Sequence, residues 1–117
     1  GTIALCLPET AMADTLLVLT NLPDRDSADA MAAALIEVRL AACVNILAPC
    51  TSVYRWQGAV ETTTEVPLLI KTTAGRYGEL EAAIRSLHPY DVPEIIALPI
   101  AQGLPAYLDW LAAETRA

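Results

Sequence analysis

Cys50-Thr51-Ser52-Val53-Tyr54-Arg55-Trp56-Gln57-Gly58-Ala59-Val60-Glu61-Thr62-Thr63-Thr64-Glu65-Val66-Pro67-Leu68-Leu69-Ile70-Lys71-Thr72 reads as two strands about a turn. Gln57-Gly58 is the turn signal, because a tight hairpin needs positive φ and glycine supplies it freely. Before the turn, Ser52, Tyr54 and Trp56 alternate with Val53 and Arg55, the two-residue period of a strand. After it, Val60 to Thr72 is rich in Thr, Val, Leu and Ile. Pro67 removes a ladder donor from this arm, so it is expected at a bulge or on an unpaired side. Cys43 to Leu47 extends the first arm backwards across a break at Ala48-Pro49, giving arms of about fourteen residues each.

Outward from the hairpin, Thr15 to Leu22 holds the compact run Leu16-Leu17-Val18-Leu19, ending at Asn21 and Pro23 as a buried strand would. Asp24, Asp26 and Ser27 offer short acceptors to the orphan N–H groups of a helix start. From Ala28, the positions Met31, Leu35, Val38 and Ala42 recur at helical spacing and predict about four turns, with Glu37 and Arg39 outward. Tyr77, Leu80, Ile84 and Leu87 predict a second helix, stopped by Pro89 just after His88. Ile95 to Ile100 is a last strand, and Pro105 opens a short C-terminal helix carrying Leu104, Tyr107, Leu108 and Leu111. The fold class is α+β: a ferredoxin-like βαββαβ sandwich with a long central hairpin and an extra C-terminal helix. Arms of this length project beyond the helices and expose apolar side chains and unpaired edges. Pairing with sister copies in a closed ring answers both, so a homo-oligomer is expected.

The 117 residues suit one domain. Asp plus Glu is 14 against 7 Lys plus Arg, a net charge of −7, which argues against nucleic acid and against an anionic membrane surface. Hydrophobic residues reach 55%, which is apolar for a small soluble monomer and again implies burial against another chain. No uninterrupted apolar run reaches the ~18–20 residues of a membrane span. Cys6, Cys43 and Cys50 form no disulfide framework and read as reduced thiols of a cytoplasmic protein. Residues 1–13 read as a tag remnant or upstream extension ahead of a domain over 14–117, because Met12-Ala13 stands directly before the first strand.

His88-Pro89-Tyr90-Asp91-Val92-Pro93-Glu94 holds the only histidine close to carboxylates in a turn bounded by prolines. Imidazole with carboxylate suits Cu(II) or Zn. The alternative is a histidine that caps the preceding helix. Tyr54 and Trp56 share one face of the hairpin, where they stack on a ligand or pack against a subunit or helix. Lys71, in an apolar arm, should pair with Glu65 or Glu94 across an interface, or contact a ligand. Cys43 reads as an apolar filler or a thiol ligand. There is no G-x-S-x-G, P-loop or G-x-G-x-x-G, and no enzyme is expected.

Cys43-Val44-Asn45-Ile46, Ser52 to Gly58, Leu69-Ile70-Lys71-Thr72 and above all His88 to Ile95 resemble the CutA divalent-cation-tolerance family, in order and spacing, over Leu16 to Leu111. The resemblance implies a homotrimer of ferredoxin-like subunits, similar in architecture to PII signalling proteins, that binds divalent metal, Cu2+ foremost and Zn2+ next, without needing it to fold. Carried over, His88 matches the family's proposed metal ligand, and Glu65 and Glu94 occupy acidic positions near it. Some members have cysteine where this chain has Thr20, and histidine where it has Leu87. Asp91 stands where Glu is common. The alternative function is a PII-like signalling module with a small molecule between subunits, lined by Tyr54, Trp56, Lys71, His88 and Tyr90.

Overall fold

The computed structural model describes residues 14–117. The expectation about residues 1–13 lies outside them. The elements run β1 (Thr15–Leu22), α1 (Arg25–Glu37), β2 (Cys43–Ile46), β3 (Cys50–Trp56), β4 (Ala59–Thr73), a 3-10 turn (Ala74–Arg76), α2 (Tyr77–Leu87), β5 (Ile96–Pro99) and α3 (Pro105–Glu114). With β2 and β3 as the two halves of one broken arm, this is the expected βαββαβ order with its additional helix. One antiparallel sheet runs β2-β4-β1-β5, and β3 continues along the β2 edge of β4. Among the described residues, no helix is long and apolar enough to cross a membrane.

Alternation sorts β1 and β4 into two faces. Val18 and Leu22 of β1 join Val66, Leu68 and Ile70 of β4 in the core. Ala28, Met31 and Leu35 of α1 and Leu80 and Ile84 of α2 close over them. The opposite face carries Leu17, Leu19, Leu69 and Lys71, with Ile96 and Leu98 of β5 in register beside them. It is covered only in part: Tyr107 of α3 stands over the Lys71 ammonium at 5.9 Å. Ile96 and Leu98 stay 49% and 48% exposed.

Helix α1 ends sooner than the apolar spacing predicts. Val38 is exposed and Ala42 lies beyond the last turn, because Arg39 takes a φ of 61° and reverses the chain. Leu40 and Ala41 fill the core in their place. Arg39 then fastens the C-terminus of α3, donating from Nε to the Arg116 carbonyl at 3.1 Å and from its terminal nitrogen to the Ala113 carbonyl at 3.0 Å.

The hairpin turns on Gln57 and Gly58 at φ 49° and 83°. Positive φ at both central residues matches the right-handed twist of the arms. Ile46 faces Leu68, but Cys50 faces Glu65. Three residues (47–49) therefore answer two (66–67), which is a bulge. Its cause is Pro67. The Leu47 N–H donates to the Pro67 carbonyl at 3.0 Å, and proline has no N–H to return the second bond of the pair. The expectation for Pro67 is met.

The start of α1 is capped as the sequence suggests: the Ser27 N–H donates to the Asp24 carboxylate at 2.8 Å. That bond, with the Ser27 side chain, holds the Asp24 carboxyl below its ordinary pKa of 3.8. A lowered folded pKa stabilises above the unfolded value and is lost as pH falls through the folded one. Asp24→Ala is expected to lower the melting temperature by roughly 4–8 °C at neutral pH. The difference should shrink when the melts are repeated at pH values below 3.8.

Candidate functional site

Because the bulge shifts register by one, it exchanges which β-arm residues look out from the open face. Ser52, Tyr54 and Trp56 of β3 now lie opposite Thr63, Glu61 and Ala59 of β4, and Cys50 lies opposite Glu65. The segment after α2 folds back over this ribbon. Together they enclose a cleft of about 630 Å³, with Tyr54, Trp56 and Tyr90 as its aromatic rings and Glu61, Glu65, Asp91 and Glu94 as its carboxylates.

His88 sets the position of the far wall. β5 pairs β1 only from Leu16 to Leu19, leaving the Asn21 carbonyl past its end. The His88 ring takes that carbonyl through Nε2 at 2.7 Å, and the Tyr90 N–H donates to Nδ1 at 3.1 Å. Accepting at Nδ1 makes Nε2 the protonated nitrogen, so these bonds assign the neutral tautomer. The ring is 8% exposed, and its centroid lies 4.8 Å from that of Tyr90. Asn21 ties the turn a second time, donating from its amide to Glu94 at 3.2 Å.

Glu65 is 9% exposed, yet it reaches the cleft. Among the described residues, the ion pairs join Arg25 to Asp29, Arg39 to Glu114 and Arg76 to Glu79. None of the four cleft carboxylates is in one. Their charge acts on the phenols. Burial first, then Glu65 and Tyr54, raise the Tyr90 pKa above 10. Desolvation, then Glu61 and Glu65, raise that of Tyr54.

The structure thus gathers Glu65, Glu94, Tyr54, Trp56, Tyr90 and Asp91, with His88 behind them. It does not gather Lys71 or Cys43. Lys71 donates to the Asn45 side chain at 2.9 Å and lies 4.0 Å from the Cys43 sulfur. Neither expected carboxylate partner reaches it. Lys71 and Glu65 share a face of β4, but six residues of strand separate them by about 20 Å. Asn21 and Glu61 were not singled out by the sequence. Glu61 was within reach of it, since the two-residue turn at Gln57-Gly58 places residue 61 opposite Tyr54.

Residues 16–114 match the family described as CutA1 divalent ion tolerance protein. The chain belongs to the CutA1 family. It is 52% identical over 99 residues to the divalent-cation tolerance protein CutA of Thermus thermophilus, covering 85% of this chain and 96% of that one. Protein CutA of Mus musculus is 46% identical over 89 residues, 76% of this chain, which spans 50% of the mouse protein. The solved Cut A1 structure from Thermus thermophilus superposes with a TM-score of 0.86 at 50% identity, covering 87% of this chain and 99% of that one. The family description and the Thermus thermophilus names refer to divalent-ion tolerance.

The CutA1 name raises the question of a metal. Among the described residues, no three His, Cys, Asp or Glu side chains converge to hold an ion. His88 has both ring nitrogens engaged, and Glu61 and Glu65 lie four strand residues apart, about 13 Å. The described residues of one chain therefore do not supply a closed metal shell. They supply a negative, aromatic-walled cleft.

The charge on Glu65 has a direct readout. In an alkaline absorbance titration, the signal lost in Tyr90→Phe should belong to a phenol ionising above pH 10. Glu65→Gln should move that step back toward 10. A step unmoved by Glu65→Gln would separate the two groups.

Proposed function

We propose that this CutA1 chain is a homotrimer that binds divalent cations, Cu2+ foremost and Zn2+ next, and catalyses no reaction. The observation that carries the cation reading is the cleft itself: Glu61, Glu65, Asp91 and Glu94 around one cavity, without a Lys or Arg partner among them. Carboxylate oxygens attract divalent ions, and imidazole favours copper and zinc over harder ions. Glu65 and Glu94 are the oxygen donors of this reading. His88 joins them through Nδ1 only by releasing the Tyr90 N–H. A neighbouring copy completes the shell, since the groups among the described residues of one chain do not converge. Folding does not depend on the ion in this reading, because a cluster of apolar side chains from β1, β4, α1 and α2 closes the core.

The trimer reading is supported by the open sheet face and by the hairpin. Leu17, Leu19, Leu69, Ile96 and Leu98 make an apolar surface that α3 only partly covers, and β3 leaves its outer edge unpaired. Burying such surface contributes about 25 cal/mol per Å². The chain keeps Cys43 and Cys50 as free thiols, which suits the cytoplasm.

Calorimetric titration with Cu(II) and with Zn(II) should give saturable binding, weakened at least about tenfold in Glu65→Gln and in His88→Ala. No saturable heat from either ion would reject the metal reading. Light scattering should give a mass near three times 12.5 kDa, and Leu98→Asp should release smaller species. Wild type running as single chains would reject the trimer.

A further inference from the structure

The cleft carboxylates are numerous but dispersed. Glu61 and Glu65 stand about 13 Å apart along one strand face, and Asp91 and Glu94 line the opposite wall. A single ion touches too few of them to neutralise the site. Between the carboxylates lie aromatic faces, those of Tyr54, Trp56 and Tyr90. Rings of this kind attract organic cations and accept methylene chains, neither of which a hydrated metal ion exploits.

We propose that the cleft formed by Glu61, Glu65, Asp91, Glu94, Tyr54 and Trp56 binds an aliphatic polyamine, its ammonium groups on the separated carboxylates and its methylene spacers along the rings. Two observations beyond the acidic cluster point to such a ligand. Glu65 is nine-tenths buried and faces the cleft with no cationic partner. No Lys or Arg balances its charge, and a ligand ammonium would supply that balance. The cavity, about 630 Å³, falls in the range that small organic ligands fill and far exceeds the volume of one ion. The net charge of −7 draws cations toward it and repels nucleotides and other anions.

The proposal uses the same cleft as the divalent-ion reading but does not rest on an ion being bound there, and chelator keeps the two tests apart. Spermidine is titrated calorimetrically into the full chain at low salt with chelator present, beside 1,8-octanediol as a neutral chain and ATP as an anion. Spermidine should bind saturably, more weakly as sodium chloride is added, and the other two should give no binding. Glu65→Gln should weaken spermidine at least about tenfold. Glu61→Gln, on the exposed arm where it disturbs no core contact, should weaken it about threefold, as should Trp56→Leu. No saturable heat from spermidine with folded wild type would overturn the proposal. So would equal affinity in wild type, Glu65→Gln and Glu61→Gln, or equal binding of the octanediol.

Discussion

A single missing hydrogen decides what this molecule presents to its surroundings. Pro67 accepts from the Leu47 N–H but has none to give back, and the ladder between the arms slips by one residue there. Side chains on a strand alternate, so a slip of one exchanges the two faces. Before the bulge, odd-numbered residues of the first arm (Cys43, Asn45) share the open face with Lys71 and Leu69. After it, even-numbered residues do: Ser52, Tyr54 and Trp56. Had the ladder run on unbroken from the pairing of Ile46 with Leu68, Val53 would face Glu61 and Arg55 would face Ala59 on the open face. The cleft would then hold a guanidinium in place of two aromatic rings. The acidic-aromatic character of the site is a consequence of register, not only of composition.

The other wall depends on a second unmet bond. β1 outruns β5, and the carbonyl of Asn21 points past the end of the partner strand. An edge carbonyl that is half buried needs a donor. His88 supplies it from the residue that ends α2, and the same ring receives the Tyr90 N–H. The turn from 88 to 94 is thereby pinned to the sheet at the height where β4 carries Glu61 and Glu65 and β3 carries Tyr54 and Trp56. His88 organises the site from behind, and the groups that face the cleft are its neighbours in sequence. Imidazole satisfied on both nitrogens is stiff, and that stiffness positions Tyr90, Asp91 and Glu94.

The element order was legible because each element is punctuated by an identifiable residue. Asp24 caps α1, Gln57-Gly58 turns the hairpin, Pro89 stops α2 and Pro105 opens α3. The bulge at Pro67 was legible for the same reason, since the chemistry of proline is local. What escaped was non-local. Arg39 gives no sequence signal that it will adopt a left-handed φ, so the apolar spacing carried α1 on through Val38 and Ala42. Lys71 appeared to need a carboxylate, because its true partner, the amide of Asn45, comes to it only through strand pairing. Asn21 looked like a strand terminator, and its contacts with His88 and Glu94 span a long stretch of chain. Most of the cleft residues could be named from sequence. Their separation, which decides what kind of cation they suit, could not.

The two ends of the open face therefore make different demands. The open sheet presents apolar side chains that water disfavours, and only another apolar surface satisfies them. The cleft presents carboxylates, one of them buried, which another apolar surface would make worse. A single partner cannot answer both demands. In the proposed function, sister chains would meet the first and a diffusible cation the second, and the ribbon of β3 and β4 would take part in both surfaces. Occupying the cleft would then brace the same strands that an oligomer grips. Binding and assembly would be coupled through β4, whose N-terminal half carries the carboxylates while its C-terminal half holds the core.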